Sequence, residues 1–151
     1  MENKGIRILD QKNRIVSVEL GDILKNISNG DSFFWSILFF NGNIKEESGK
    51  STLIFKKEIN NSERGLLIKW SDLNILSMSL REVEDIVIIG CKNSGVIQRY
   101  EDDQVMFETC DFVIIMFDSC FWEVFSFDVE FLERLANKFK QIEMLKTDFL
   151  K

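Results

Sequence analysis

Most apolar runs in the chain are short, alternate with polar residues at the period of two that strands require, and break at Gly, Asn or charged residues. Ile6–Leu9 and Arg14–Leu20 read as short strands. Asp22 is placed to cap a short helix over Ile23–Ile27. Phe33–Phe40 has Ser36 as its single polar residue, which predicts a central strand closed by a tight hairpin turn at Asn41-Gly42. Thr52–Ile59 and Leu66–Trp70 predict a second hairpin across residues 60–65. Ser71 or Asp72 then caps a helix to about Leu80, with Leu73, Leu76 and Leu80 at helical spacing. Ile86–Cys91 and Val96–Tyr100 flank Lys92-Asn93-Ser94-Gly95, another hairpin signal. Val105–Thr109 and Phe112–Phe117 read as strands, and Phe121–Phe125 returns across Asp118-Ser119-Cys120.

From Asp128 the period lengthens to that of a helix. Val129, Leu132, Leu135, Ala136, Phe139 and Ile142 share one face, so a long C-terminal helix is expected through Ile142. Its acids cluster at the start and its bases toward the end, as the helix dipole favours. Strands followed by helices without regular alternation predict an α+β fold, a mostly antiparallel sheet covered on one face by short helices and the long C-terminal helix. No repeat, linker or low-complexity tract divides the sequence, so residues 1–151 are expected to form one domain.

Composition narrows the chemistry. The chain has no His, which removes imidazole bases, Ser-His-Asp and Cys-His triads, and His metal sites. Cys91, Cys110 and Cys120 lie in apolar surroundings without CxxC spacing and read as reduced, mostly buried thiols. The polar start, MENKGIRILDQKNR, lacks the apolar stretch of a secretory signal, and no run approaches the roughly 20 apolar residues of a membrane span. A cytoplasmic protein is expected.

Charge is unevenly distributed. The net value is −6, yet residues 101–133 hold ten acids and no Lys or Arg, a local −10. Such a stretch repels nucleic acid and anionic lipid and attracts a basic partner; a solvated face on an acidic protein is the plainer alternative.

Ser48-Gly49-Lys50-Ser51-Thr52 ends like a phosphate-binding P-loop, but Ile44 stands where the spacing needs Gly, and Glu46 and Glu47 would repel a triphosphate. Thr52–Ile59, read as a strand, also offers no helix N-terminus, so a surface loop is the better reading. Glu101-Asp102-Asp103, or Asp111 with Asp118, contain the carboxylates an acid–base or Mg²⁺ site would use, although consecutive acids at a turn ordinarily face water. Phe33, Phe34, Trp35, Phe117, Phe121, Trp122 and Phe125 are expected in the core, and any left exposed beside the acids would anchor a protein partner.

Asp118-Ser119-Cys120-Phe121-Trp122-Glu123-Val124-Phe125-Ser126-Phe127-Asp128, running into the helix over 130–139, resembles the strand-and-helix ending of small bacterial immunity proteins, which protect cells from contact-dependent or polymorphic toxins. Trp70-Ser71-Asp72-Leu73, with the following helix and the Asp85–Gly90 strand, is similar to a second segment of some of them. The resemblance implies a cytosolic, non-catalytic inhibitor without cofactor or metal that covers its cognate toxin.

Many such toxins act on nucleic acid and carry basic surfaces, which suits the acidic stretch. The expected partner is therefore a basic toxin domain bound one to one, neither nucleic acid nor membrane. Glu101, Asp102, Asp103, Glu108, Asp111, Asp118, Glu123, Asp128 and Glu130 are the expected contact residues. A non-toxin interaction module and a carboxylate- or Mg²⁺-dependent enzyme are the alternatives.

Overall fold

In the computed structural model, which describes residues 4–45 and 51–146, alternation along the strands sends apolar side chains to both sides of one large sheet. The chain runs β1 (Lys4–Ile8), β2 (Gln11–Lys12), β3 (Ile15–Val16), α1 (Leu20–Leu24), β4 (Phe34–Ile44), α2 (Thr52–Asn60), β5 (Leu66–Ile68), α3 (Trp70–Ser79) and β6 (Leu80–Cys91). It continues through α4 (Asp103–Thr109), β7 (Phe112–Phe117), β8 (Phe121–Ser126), α5 (Val129–Lys138) and β9 (Ile142–Lys146). Seven strands pair in the order β5-β4-β6-β7-β8-β1-β9, antiparallel throughout, while β2 and β3 form a separate two-stranded ribbon.

On the first face, Ile6, Trp35, Ile37, Ile88, Ile114 and Val124 meet α1, α2, α3 and α5 in the larger core. Two tryptophans anchor it without leaving a polar atom unpaired. Trp35 Nε1 donates to the Gly30 carbonyl at 2.8 Å, and Trp122 Nε1 to the Val18 carbonyl at 2.7 Å. The helices are short because each contributes one or two turns of apolar spacing: Phe55 and Ile59 from α2, and Phe131, Leu132 and Leu135 from α5.

The second face is also covered, in part, which the expectation of one-sided cover does not include. Ile89, Cys91, Val113, Ile115 and Phe125 point there and pack under residues 96–110, including Met106 of α4. Arg99 ties this layer to the sheet edge, its guanidinium donating to the carbonyls of Leu38, Ile59 and Ser62.

The α+β character and the large antiparallel sheet agree with the sequence reading; several elements do not. Val105–Thr109 is helical: Asp102 caps α4 by accepting from Gln104 N at 2.9 Å, and Met106 and Cys110, four apart, share its buried side. Thr52–Ile59 is also helical, capped by Ser51, so it forms no hairpin with β5. Val96–Tyr100 follows a 3-10 turn at Ser94–Val96 and crosses the second face instead of pairing.

β4 continues past Asn41-Gly42 to Ile44 with β6 as its neighbour, and it lies next to the sheet edge, not at its centre. Gly42 serves close packing, since a Cβ there would sit 2.1 Å from the Glu82 carbonyl oxygen. Within Arg14–Leu20 only Ile15–Val16 is strand. The first helix starts earlier, at Leu20, with Asp22 in its first turn accepting from Glu19 N at 2.9 Å.

The long C-terminal helix is two elements: α5 has ten residues, and Ile142 belongs to β9. Asp10 explains the break. Its carboxylate accepts from the Lys140 and Gln141 backbone N–H groups at 2.7–3.1 Å, and Leu9 N donates to the Gln141 carbonyl. The chain is thereby turned into register with β1.

Candidate partner-binding face

The layer over the second face stops short, and one register row of the sheet lies at its margin. Phe39, Val87, Ile115, Glu123, Arg7 and Glu143 stand side by side across six strands. A β-bulge at Leu38–Phe39 puts both residues on this side, with Leu38 buried in the second core and Phe39 46% exposed. The neighbouring row holds Asn41, Asp85, Phe117 and Phe121. Phe117 is 39% exposed, and its ring lies 5.3 Å from that of half-buried Phe121.

Charge surrounds these rings. Arg7 bridges two cross-strand carboxylates, reaching Glu123 at 2.6 Å and Glu143 at 3.1 Å, and its guanidinium carbon lies 4.7 Å from the Phe121 ring centre. Asp85 accepts from Asp118 N at 3.0 Å, and Ser119 Oγ donates to the Val83 carbonyl at 3.1 Å. These bonds hold the β7–β8 turn, whose Asp118 and Ser119 adopt left-handed backbone (φ 46° and 59°).

The nine acids singled out in the sequence separate into four places. Glu101, Asp102, Asp103 and Glu108 are exposed on or beside α4, on the second side of the sheet. Glu123 belongs to the first open row, and exposed Asp118 lies in the β7–β8 turn beside the second, its backbone N–H held by Asp85. Asp111 and Asp128 lie at the opposite end of the strands, across β7 from Asp118 by about 20 Å of extended chain. There they line a cleft with Lys92; Asp111 accepts from Lys92 N, and Asp128 caps α5 by accepting from Phe131 N. Glu130 is on α5, against the first face.

Five of the nine thus share one side, with Asp118 in the turn at its end, and there the structure adds Phe39, Asp85 and Glu143, none of which the sequence singled out. The bulge and the β1–β9 pairing brought them there, and neither has a local sequence signature.

Other candidates resolve simply. Residues 46–50, most of the P-loop-like segment, lie outside the described residues. α2 does provide a helix after that segment, contrary to the strand expectation, but Ile44 is a buried strand residue, and the Ser51 hydroxyl caps the helix at Ile54 N.

Cys91, Cys110 and Cys120 are free thiols. The buried pair Cys91 and Cys110 share a hydrogen bond that, together with burial, pushes the Cys91 thiol up, and the same bond draws Cys110 down against the effect of its burial. The Tyr100 phenol, pushed up to about 12 chiefly by burial, donates a hydrogen bond to the Val96 carbonyl at 2.5 Å. A cleft of about 630 Å³ beside β5 is mainly apolar, and Asp31 is the single carboxylate among its lining residues. Among the described residues no three His, Cys, Asp or Glu side chains group as metal ligands, and no helix is long and apolar enough to cross a membrane.

Phe34 and Phe117, expected in the core, are exposed; Phe33 and Phe121 are half-buried, and Trp35, Trp122 and Phe125 are buried as expected. Comparison with known proteins finds no match among protein-family models, curated proteins or solved structures.

Proposed function

We propose that this chain is a binding protein of the immunity type, which neutralises a basic toxin domain by covering it with the acidic, aromatic-bearing side of its sheet. The supporting observation is the conjunction on that side of exposed Phe39 and Phe117 with the carboxylates of Asp85, Glu123 and Glu143, next to the turn that carries exposed Asp118 and on the same side as the exposed acids of α4. Carboxylates speed encounter with a cationic partner and reject like-charged ones, while aromatic side chains supply most of the binding energy once desolvated. The rings rest on a rigid sheet, so little ordering entropy is lost when they dock.

Reversing Glu101, Asp103 and Glu108 to Lys tests this. All three are exposed, and the helix cap at Asp102 stays intact. The unaltered protein is expected to capture a basic polypeptide from a lysate of its source cells and to suppress that polypeptide's toxicity on co-expression. The triple variant should bind at least about tenfold more weakly at low salt, with a flatter salt dependence. Equal affinity and equal salt dependence would remove the electrostatic reading. A captured basic polypeptide that harms no cell when expressed alone would make this a non-toxin interaction module using the same face.

A further inference from the structure

At the sheet edge farthest from β9, β5 has β4 as its single neighbour among the described strands, in the register Trp35↔Ile68, Ser36↔Leu67 and Ile37↔Leu66. Alternate backbone N–H and C=O groups of an edge strand point away from the sheet and need a partner or water. Two clefts, of about 630 and 350 Å³, flank β5 and share Leu67 and Ile68 as walls. Phe34 and Trp70 extend the first, Phe55 and Ile75 the second. The surface between them is apolar, with Leu67 56% and Phe34 53% exposed.

Natural edges usually carry charge or Pro to discourage pairing. β9, the opposite edge, carries Glu143, whereas β5 is Leu-Leu-Ile and holds no charge or Pro. We infer that the outer edge of β5 accepts an extended, apolar segment of a partner polypeptide as an additional strand, its side chains seated alternately in the two clefts.

Each feature fits that occupant. An unpaired strand edge recognises extended backbone, and clefts on both sides of it read the period-two side chains of a strand. The larger cleft carries Arg64 and Lys69 against Asp31, and the smaller carries Glu58 and Asp72, so charges of both signs nearly balance across the pair. This mixed rim around apolar walls favours a segment without strong net charge, unlike the acidic side of the sheet. The clefts also extend beyond β5, the first to Asp31 and Ser71 and the second to Ile44 and Ser79, so the occupant is longer than the three-residue strand a second copy could offer.

The probe is a displayed library of random linear nonapeptides, selected on the full chain. Enriched peptides should carry apolar residues at alternate positions. N-methylation of alternate backbone amides should weaken the best peptide by about tenfold each, while methylation of the intervening amides leaves it unchanged. Leu67→Lys, at an exposed side chain, should abolish binding with the circular dichroism spectrum unaltered. The Glu101, Asp103 and Glu108 to Lys variant should bind as the unaltered chain does, which separates this site from the acidic face.

Failure to enrich any peptide, binding insensitive to N-methylation, or binding retained in Leu67→Lys would overturn the inference. So would a concentration-dependent dimer dispersed by Leu67→Lys, since the occupant would then be a second copy.

Discussion

Gly5 is where the acidic layer is fastened to the sheet, and adding one methyl group there tests the packing closely. Gly5 pairs with Phe125, and a Cβ on Gly5 would lie 2.4 and 2.5 Å from two carbons of that ring. The ring has little room to retreat, because Phe107 of α4 stacks on it with centroids 3.9 Å apart and planes 17° from parallel. Gly5→Ala must therefore displace Phe125, and with it Phe107 and α4.

Overpacking of this kind costs about 1–3 kcal/mol, partly offset by the roughly 0.5 kcal/mol that Ala gains over Gly in a strand. At about 2–4 °C per kcal/mol for a chain of this size, the melting temperature should fall by about 1–10 °C. Phe125→Leu is the complementary change; complete removal of the ring would cost about 3–5 of the 5–15 kcal/mol that hold a domain together. Leu is narrower than the stacked ring, so Gly5→Ala should cost less than about 0.5 kcal/mol in that background. The cycle, measured by thermal and urea unfolding, should give a coupling of at least about 1 kcal/mol. Equal cost in both backgrounds, or a Gly5→Ala protein more stable than its parent, would refute the packing account.

Two further predictions concern charge and proton. Arg7→Leu leaves Glu123, whose side chain is 12% exposed, without its ion pair and should cost about 1–3 kcal/mol in urea unfolding, whereas Glu143→Gln, at a side chain 53% exposed, should cost less than about 1 kcal/mol; equal effects would place Glu123 in solvent. Tyr100 is the chain's single tyrosine, so absorbance at about 295 nm reports it alone, and its phenol should titrate near 12 while the protein stays folded. The unfolded phenol titrates near 10, so its contribution to stability is complete below about pH 10 and is lost as pH rises toward 12; titration near 10 in the folded protein contradicts this.

Where pattern alone decides structure, the sequence was readable. Phe112–Phe117 and Phe121–Phe125 are short apolar runs rich in β-branched and aromatic residues, and the Asp118-Ser119 turn between them leaves little choice of pairing. The errors came where tertiary contacts outweigh pattern. Thr52, Ile54 and Ile59 suggest a strand by their β-branching, but Phe55 and Ile59, four apart, bury more area as a helix behind the Ser51 cap.

At the C-terminus the helical period persists through Ile142, and contacts from about 130 residues away, the Asp10 carboxylate and the pairing with β1, end it. The acidic stretch was visible as composition. Its division between the α4 side, the open rows, the far strand ends and α5 depends on the sheet order, which no local pattern encodes. Phe39 was hidden inside an apolar run because a bulge, not a polar residue, turns it outward.

The most direct test of the binding account is mass spectrometry under native conditions of what the tagged chain carries out of its source cells after low- and moderate-salt washes. The account predicts a one-to-one complex with a basic polypeptide, toxic when expressed alone, that dissociates as salt rises and is lost with Glu101, Asp103 and Glu108 reversed to Lys. Recovery of a metal or small molecule with no polypeptide would contradict it and direct attention to the carboxylates as a chemical site.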